Sequence, residues 1–329
     1  MVTRNDVARH AGVSVAVVSY VLNNKSFVKE ATRRKVLQSM EELGYQPNHT
    51  ARSLKTKKNY QLAVLTNYIG NPFEAGILLH LEEAASRFGY MITYQTCRPG
   101  REEEMKSLLA GRVDGIILLG QSLKEETHDF FGKRDIPLVS VMRPAAAPPS
   151  LFCADVDWTA AYTSLIRLLA AEGHRRIAFM THGNPLDTLA HRMDCFRQAM
   201  AAAGSAQPLD CMELHGEGRY EGAYKLLTEF PGQPEVTAIV CANDLMAIGT
   251  VAACRQRGWN VPSGIAVAGS ENILMTVETH PPIAVLDYPR QQAAYSAFEH
   301  LLARMTGSSA LPEPVSLNAP FIRRESIGL

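Results

Sequence analysis

Residues 3–23 read Thr3-Arg-Asn-Asp-Val-Ala-Arg-His-Ala-Gly-Val-Ser-Val-Ala-Val-Val-Ser-Tyr-Val-Leu-Asn23 and predict two short helices separated by a tight turn. Thr3 and Asp6 have the spacing of a helix N-cap and its partner three residues on. Gly12 accepts the left-handed backbone that ends the first helix, and Ser14 can cap the second. Two such helices form a helix-turn-helix, the unit whose second helix enters the DNA major groove.

A third helix is predicted over about 30–43, where four apolar residues fall on one face and can close a small core: Val36, Leu37, Met40 and Leu43. The short segment 48–54 follows and has room for only one or two helical turns, so DNA or a partner chain would have to order it. Residues 1–60 carry eleven Lys or Arg against four acidic residues, a net charge of +7, while the remainder carries −7. A contact with a polyanion would therefore be confined to the first sixty residues.

Motifs over these sixty residues include Val18-Ser-Tyr-Val-Leu-Asn23, Thr32-Arg-Arg-Lys-Val36, Leu43-Gly-Tyr-Gln-Pro-Asn48 and Ala51-Arg-Ser-Leu54. Together they resemble the lactose-repressor (LacI-type) family of bacterial transcription regulators. The resemblance implies a helix-turn-helix DNA-binding domain over 1–46, and a hinge helix with its linker over 47–60. It also implies the DNA-contacting residues, which are Thr3, Ser14, Val15, Ala16, Val17, Ser19, Tyr20, Asn23, Lys25, His49, Thr50, Arg52, Ser53, Leu54 and Lys55.

The chemistry of these residues limits which features of the DNA bases they could recognise. Val15 and Ala16 lie in the first turn of the second helix and are apolar, so they suit thymine methyl groups rather than bidentate hydrogen bonds. Tyr20 stands where many relatives have an arginine that reads guanine. The resemblance places Leu54 where a hinge leucine wedges into the minor groove, although Leu54 could instead pack against its own domain.

From residue 62 the chain alternates short apolar runs with longer amphipathic segments, which predicts parallel sheets covered by helices on both faces. The candidate strands are 62–65, 91–94, 115–119, 138–141, 177–180, 238–241, 265–268 and 283–286. The resemblance extends over this part and implies an α/β, periplasmic-binding-protein-like pair of subdomains. By analogy the N-terminal subdomain covers 61–157 plus 288–318, and the C-terminal one covers 158–287 plus 319–329.

Ligands of open parallel sheets bind beyond the carboxyl ends of the strands, and two such subdomains leave a cleft between them. The pattern and the resemblance place seven candidate effector-binding residues there: Phe73, Asp157, Arg192, Asn243, Asp244, Glu271 and Tyr288. In the family an aromatic at the position of Phe73 lies against a sugar face. The resemblance implies a sugar or sugar derivative as effector, and the planar fork of Arg192 suits paired hydroxyls or a carboxylate.

Each of these residues has a structural alternative. Asp244 could cap a helix that begins at Leu245, and Phe73 could belong to a helix core. Arg192 and Glu271 could pair with each other rather than with a ligand, because charges are rarely buried unpaired. Glu271 also follows Ser270 where relatives usually have Tyr-Asp, so the polar geometry of the pocket is expected to differ from that of typical members.

The sequence contains no motif typical of an enzyme, a cofactor-binding protein or a metal-binding protein. It has no G-x-G-x-x-G after the first strand, no Walker sequence, no G-x-S-x-G and no H-E-x-x-H, so neither catalysis nor a cofactor is expected. The six cysteines form no C-x-x-C pair and have no nearby histidine at ligand spacing, which predicts free thiols in a reducing compartment and no metal. No apolar run approaches 18 residues, and we expect a cytoplasmic protein without a membrane partner.

The resemblance therefore implies a repressor that binds a near-palindromic DNA operator as a homodimer, with its affinity controlled by a small-molecule effector. No leucine heptad tail follows Ser326, which favours a dimer over a tail-linked tetramer. Release from DNA and tighter binding both remain open as the effect of the ligand. A solute-binding protein would share the two-lobed body but would have no use for residues 1–58, and an enzyme built on paired α/β domains would need motifs that are missing.

Overall fold

We describe the protein from a computed structural model. The structure describes residues 2–22, 25–45, 58–66, 68–97, 100–144, 146–183, 188–203, 209–308 and 316–328. The chain divides into two compact units, Met1–Lys58 and Asn59–Leu329. Seven of the predicted DNA contacts and most of the predicted hinge lie outside the described residues: Asn23, His49, Thr50, Arg52, Ser53, Leu54 and Lys55.

The first unit contains three described helices, α1 (Arg4–Ala11), α2 (Val15–Leu22) and α3 (Glu30–Glu42). Apart from Tyr45, their shared core is built from small and β-branched residues, which let short helices approach closely: Val7, Ala8, Ala11, Val18, Val21 and Val36. The prediction for Leu37 is wrong, because this side chain remains 48% exposed. The ring of Tyr45, beyond the end of α3, is buried in that core instead.

The second unit begins with a five-stranded, entirely parallel sheet that forms the first lobe, in the order β2-β1-β3-β4-β5. Its strands are β1 (Gln61–Thr66), β2 (Met91–Thr96), β3 (Gly115–Leu119), β4 (Leu138–Val141) and β5 (Phe152–Ala154). The helices between them are α4 (Pro72–Arg87), α5 (Glu102–Leu109) and α6 (Glu125–Gly132). Strand β3 is buried along its whole length, as expected for a central parallel strand with helices on both faces.

A six-stranded sheet forms the second lobe, in the order β11-β10-β9-β8-β6-β7, and its strands are parallel except for β11. They are β6 (Arg176–Thr181), β7 (Asp210–His215), β8 (Ala238–Cys241), β9 (Ala266–Gly269), β10 (Ala284–Leu286) and β11 (Phe321–Ile322). Its helices are α7 (Trp158–Ala171), α8 (Thr188–Ala203), α9 (Tyr220–Thr228), α10 (Asp244–Arg257) and the short α11 (Met275–Glu278).

The chain crosses between the lobes more than once. It passes from β5 to α7, returns after β10 to α12 (Arg290–Thr306), and ends again in the second sheet with β11 and a 3₁₀ turn at Glu325–Ile327. Helix α12 packs on α4 and against β3, β4 and β5, so it belongs to the first lobe. No helix among the described residues is long and apolar enough to cross a membrane.

Candidate DNA-binding and effector sites

The start of α1 is fixed by reciprocal hydrogen bonds at its N-terminus. The Asp6 backbone N–H donates to Thr3 Oγ1 at 3.3 Å, while the Thr3 N–H donates to an Asp6 carboxylate oxygen at 2.9 Å. The Thr3 hydroxyl also donates to this carboxylate at 2.6 Å, and the hydrogen bonds from the Thr3 hydroxyl and backbone N–H lower the pKa of Asp6. At the next turn Gly12 adopts φ +63°, and the Val17 N–H donates to Ser14 Oγ at 3.3 Å, which caps α2. The helix-turn-helix predicted from the sequence is therefore formed by its predicted caps.

The second helix leaves an uncovered face for a partner. Val15 is 42% and Tyr20 41% exposed, and Ala16 lies beside them on the surface, whereas Val18 and Val21 turn into the core. The ring of Tyr20 meets Phe27 edge-on, with centroids 5.0 Å apart. Phe27 is 67% exposed and was not among the predicted contacts. The other described DNA-contact candidates that are exposed are Thr3, Ser14 and Lys25, whereas Val17 and Ser19 are partly covered.

In the second unit, three of the predicted polar residues meet at the carboxyl ends of the strands of the second lobe: Arg192, Asp244 and Glu271. Arg192, on α8, lies 3.7 Å from the Glu271 carboxylate, and both side chains are 3% exposed. Arg192 also donates to the Ala242 carbonyl, and its guanidinium lies 3.9 Å above the Trp158 ring. Arg192 and Glu271 thus pair with each other, which is the alternative that the sequence left open.

The turn after β9 is held by Asp244. Its carboxylate accepts three backbone hydrogen bonds, from the N–H groups of Ser270 at 2.8 Å, Glu271 at 3.0 Å and Ile273 at 2.8 Å. The cap of α10 is Asn243, whose Oδ1 accepts from the Met246 N–H at 2.9 Å. Asp244 is therefore the first residue of α10 rather than its cap, and its charge organises the turn that carries Glu271.

Burial governs the ionisation of Glu271. Desolvation raises its pKa to about 8, the neighbouring carboxylates Asp244 and Glu74 act in the same direction, and Arg192 opposes them. Glu74 lies in the first turn of α4 and accepts a hydrogen bond from Thr66, the last residue of β1. Groups from both lobes therefore act on one buried carboxyl.

An aromatic cluster joins the lobes beside the Arg192–Glu271 pair. Phe73 on α4 meets Tyr288 edge-on at 5.0 Å between ring centroids, and Tyr288 stacks with Trp158 at 6.0 Å. Trp158 also stacks with Tyr162 at 5.5 Å. Phe73, Trp158 and Tyr288 are each 1% exposed. Phe73 is thus a buried core residue that also belongs to the inter-lobe cluster, and its contact with an effector stays a prediction.

Two neighbouring carboxylates after β5 have different environments. Asp157 is exposed and caps α7 by accepting from the Ala160 N–H at 2.9 Å. Asp155 is more covered, and it accepts from the Trp158 indole N–H at 3.1 Å and from the Arg143 N–H at 2.8 Å. Burial raises the pKa of Tyr288, and the charge of Asp155 adds to that shift. Asp155 and Trp158 were not among the predicted site residues. The sequence signal that could have identified them is a tryptophan directly after the two carboxylates that follow β5.

Two parts of the chain match known families. Residues 3–48 match the family described as bacterial regulatory proteins, lacI family, and residues 59–325 match periplasmic binding proteins and the sugar binding domain of the LacI family. The HTH-type transcriptional repressor PurR of Vibrio vulnificus (strain CMCP6) is 30% identical over 340 residues, covering 99% of each chain.

Solved structures extend the likeness over the whole chain. The transcriptional regulator CelR–cellobiose complex has a TM-score of 0.73 at 28% identity, covering 99% of this chain and 100% of that one. The lac repressor dimer bound to operator and the anti-inducer ONPF has a TM-score of 0.83 at 23% identity, covering 100% and 99%. The second of these likenesses concerns the fold alone.

Proposed function

Because the chain belongs to the LacI family of DNA-binding bacterial transcription regulators, we propose that it is a repressor controlled by a small molecule bound between its two lobes. The observation that carries the proposal is the buried Arg192–Glu271 pair, stacked on Trp158 where the strands of the second lobe end. Burying such a pair costs desolvation free energy that apolar residues of similar size would not. The pair also lies where ligands of parallel sheets bind.

The DNA end of the proposal rests on the exposed face of α2. Val15, Ala16 and Tyr20 would face base edges in the major groove, with Val15 and Ala16 favouring thymine methyl groups. The basic residues of the first sixty positions would hold the backbone phosphates. The hinge contacts, with Leu54 as a wedge in the minor groove, complete this proposal from the sequence.

The electrostatics of the cleft favour an uncharged effector. Arg192 is already engaged by Glu271 and by the Ala242 carbonyl, while the carboxyls of Asp155 and Glu74 lie in the same region. An anionic ligand would meet these carboxyls as well as Arg192, and desolvating it would be costly. The aromatic faces of Phe73, Trp158 and Tyr288 suit the apolar face of a sugar or a flat base. We therefore propose a neutral sugar or sugar derivative, in keeping with the cellobiose named for the CelR structure.

Control of DNA binding would follow from a change in the arrangement of the lobes. A ligand that contacts both Trp158 of the second lobe and Phe73 of the first favours one arrangement over another. In a homodimer this changes the spacing of the two hinge segments, so effector and operator affinities are coupled reciprocally. We propose that the protein acts in the cytoplasm by binding and not by catalysis. The subdomain bounds 61–157 plus 288–318 and 158–287 plus 319–329 are part of this proposal.

Fluorescence anisotropy on the DNA upstream of the protein's own gene tests the proposal, with cellobiose, ribose, ribose 5-phosphate, adenine and guanine added in turn. We expect specific binding that a neutral compound changes and that ribose 5-phosphate leaves unchanged. The sign of the change distinguishes induction from corepression. The fragment 59–329 is the control, since it should keep ligand binding and lose DNA binding. Specific DNA binding by that fragment would overturn the assignment of residues 1–58.

A further inference from the structure

The side chain of Arg290 bridges the two lobes. It begins α12, which packs on α4 in the first lobe. Its Nη1 donates to the Glu271 carbonyl at 3.2 Å, and its Nη2 donates to the Asn272 carbonyl at 3.0 Å. Both acceptors belong to the turn after β9 in the second lobe, so one guanidinium ties this turn to the first lobe through two charge-assisted hydrogen bonds.

Gly76 on α4 provides the space for this side chain. A Cβ added at Gly76 would lie 3.0 Å from Arg290 Cδ and 3.3 Å from Nε, closer than ordinary packing allows. The stem of Arg290 therefore lies directly against α4. A displacement of α4 would press on the guanidinium, and through it on the turn after β9.

The turn itself is fixed by bonds to other segments. Asp244 holds its backbone N–H groups, and Asn272 adopts φ +59°, a left-handed conformation that asparagine tolerates. Asn272 Nδ2 donates to Asp287 at 2.9 Å, and its Oδ1 accepts from Arg324 Nη2 at 2.7 Å. Asp287 directly follows β10, where the chain returns to the first lobe, and Arg324 follows β11. The turn is thus in contact with two of the segments that join the lobes.

We propose that Arg290 is the positioning residue that converts occupancy of the cleft into a change in lobe arrangement. The inference rests on the proposed function, because it assumes that a ligand contacts the region of Glu271. A ligand that displaces Glu271 moves the backbone carbonyls that Arg290 holds. Since these bonds are directional, either α12 moves with the turn or both bonds are lost. Arg290 thereby couples the effector to the first lobe.

Three variants separate this role from simple packing. Arg290→Ala removes both cross-lobe bonds, and Gly76→Ala keeps the guanidinium but displaces its stem. Arg304→Ala is the matched control, because Arg304 is also on α12 and donates to the Leu138 carbonyl at 3.3 Å within the first lobe. The measured quantity is the ratio of operator affinities with and without the compound of the panel that changes wild-type binding most.

We expect this ratio to fall to within about threefold of one in Arg290→Ala, to be reduced in Gly76→Ala, and to be retained in Arg304→Ala. A wild-type ratio in Arg290→Ala would overturn the inference. Hydrogen exchange of the ligand-free protein gives a second readout that needs no effector. Amides of residues 270–273 should exchange at least tenfold faster in Arg290→Ala than in Arg304→Ala, and equal rates would overturn the role of Arg290.

The two readouts also separate this inference from the proposed function. If no compound changes operator binding by the wild-type protein, the proposed effector control fails, and the exchange rates alone decide whether Arg290 holds the turn. If the wild type responds to a compound but residues 270–273 exchange at the same rate in Arg290→Ala and Arg304→Ala, effector control stands and the inference about Arg290 is wrong. Because Gly76→Ala retains the guanidinium, it tests the same contact should Arg290→Ala fail to fold.

Discussion

Replacing Glu271 with Gln is expected to remove a large pH dependence of folding stability. The Glu271 carboxyl is buried, and the carboxylates of Asp244 and Glu74 add to the effect of burial against the single charge of Arg192. Together they raise its pKa from 4.5 to about 8. Near neutral pH the folded protein therefore holds a proton on Glu271 that the unfolded chain has released.

The sign and size of the effect follow from this difference. Because the folded pKa lies above the unfolded one, the contribution of Glu271 to stability is fully present below pH 4.5 and is lost as the pH rises to about 8. Within that window each pH unit lowers the free energy of unfolding by up to about 1.4 kcal/mol. Because of Glu271, we expect the free energy of unfolding of the wild type to fall by roughly 2–3 kcal/mol as the pH rises by two units in this window.

Urea unfolding at a series of pH values, at one protein concentration, measures this loss. Glu271→Gln is uncharged in both states, so its stability should vary less steeply with pH than that of the wild type. Glu229→Gln is the matched control, because Glu229 is exposed at the end of α9. Parallel pH profiles for the wild type and Glu271→Gln would refute the reasoning, because Glu271 would then be ionised in the folded state as an ordinary partner of Arg192.

Four further predictions concern other parts of the chain. Arg192→Lys should abolish the effector response and keep the operator affinity of the free protein, because lysine has no planar guanidinium to stack on Trp158. An unchanged response in anisotropy would remove Arg192 from the site. Trp158→Ala should lower the free energy of unfolding by about 3–5 kcal/mol and Trp158→Phe by much less, as urea titration would show. Thr3→Ala should destabilise the helix-turn-helix by about 1 kcal/mol, and an unaltered thermal melt of residues 1–58 would contradict the cap. Leu54→Ala should weaken operator binding far more than binding to random DNA, whereas equal losses would exclude the wedge.

Local sequence signals predicted the parts of the fold that depend on local chemistry. Helix α1 begins after Thr3 with its reciprocal caps, and all eight candidate strands are present within a residue or two of their predicted bounds. Three of the strands in the described part of the chain were missed. Strand β5 has only three residues and β11 only two, too few to show a periodic pattern. Strand β7 lies at a sheet edge with most of its residues exposed, so it shows no continuous apolar run.

The failures at the candidate site have a different cause. Sequence spacing places a residue at the end of a strand, but it does not determine which of two neighbouring carboxyls turns inward. Asp155 contacts the indole of Trp158 while Asp157 caps a helix, although only Asp157 was predicted. In the same way Asn243 caps α10, and Asp244 instead holds a turn that follows a different strand. Such assignments depend on tertiary partners far apart in the chain, which no local pattern contains.

The site residues of the second lobe satisfy one another, and this limits how a ligand can bind. Arg192 is engaged by Glu271 and by the Ala242 carbonyl, while Asp244 is engaged by the turn. A ligand gains affinity here only where its own groups replace those partners at least as well, because an exchanged buried hydrogen bond contributes little and an unreplaced one costs about 1–3 kcal/mol. A neutral polyhydroxyl compound can both donate and accept hydrogen bonds, so it can separate Arg192 from Glu271 and form hydrogen bonds with each. A phosphate that displaced Glu271 from Arg192 would lie near the carboxyls of Asp244 and Glu74. We therefore expect the self-pairing that closes the site in the free protein to favour uncharged ligands.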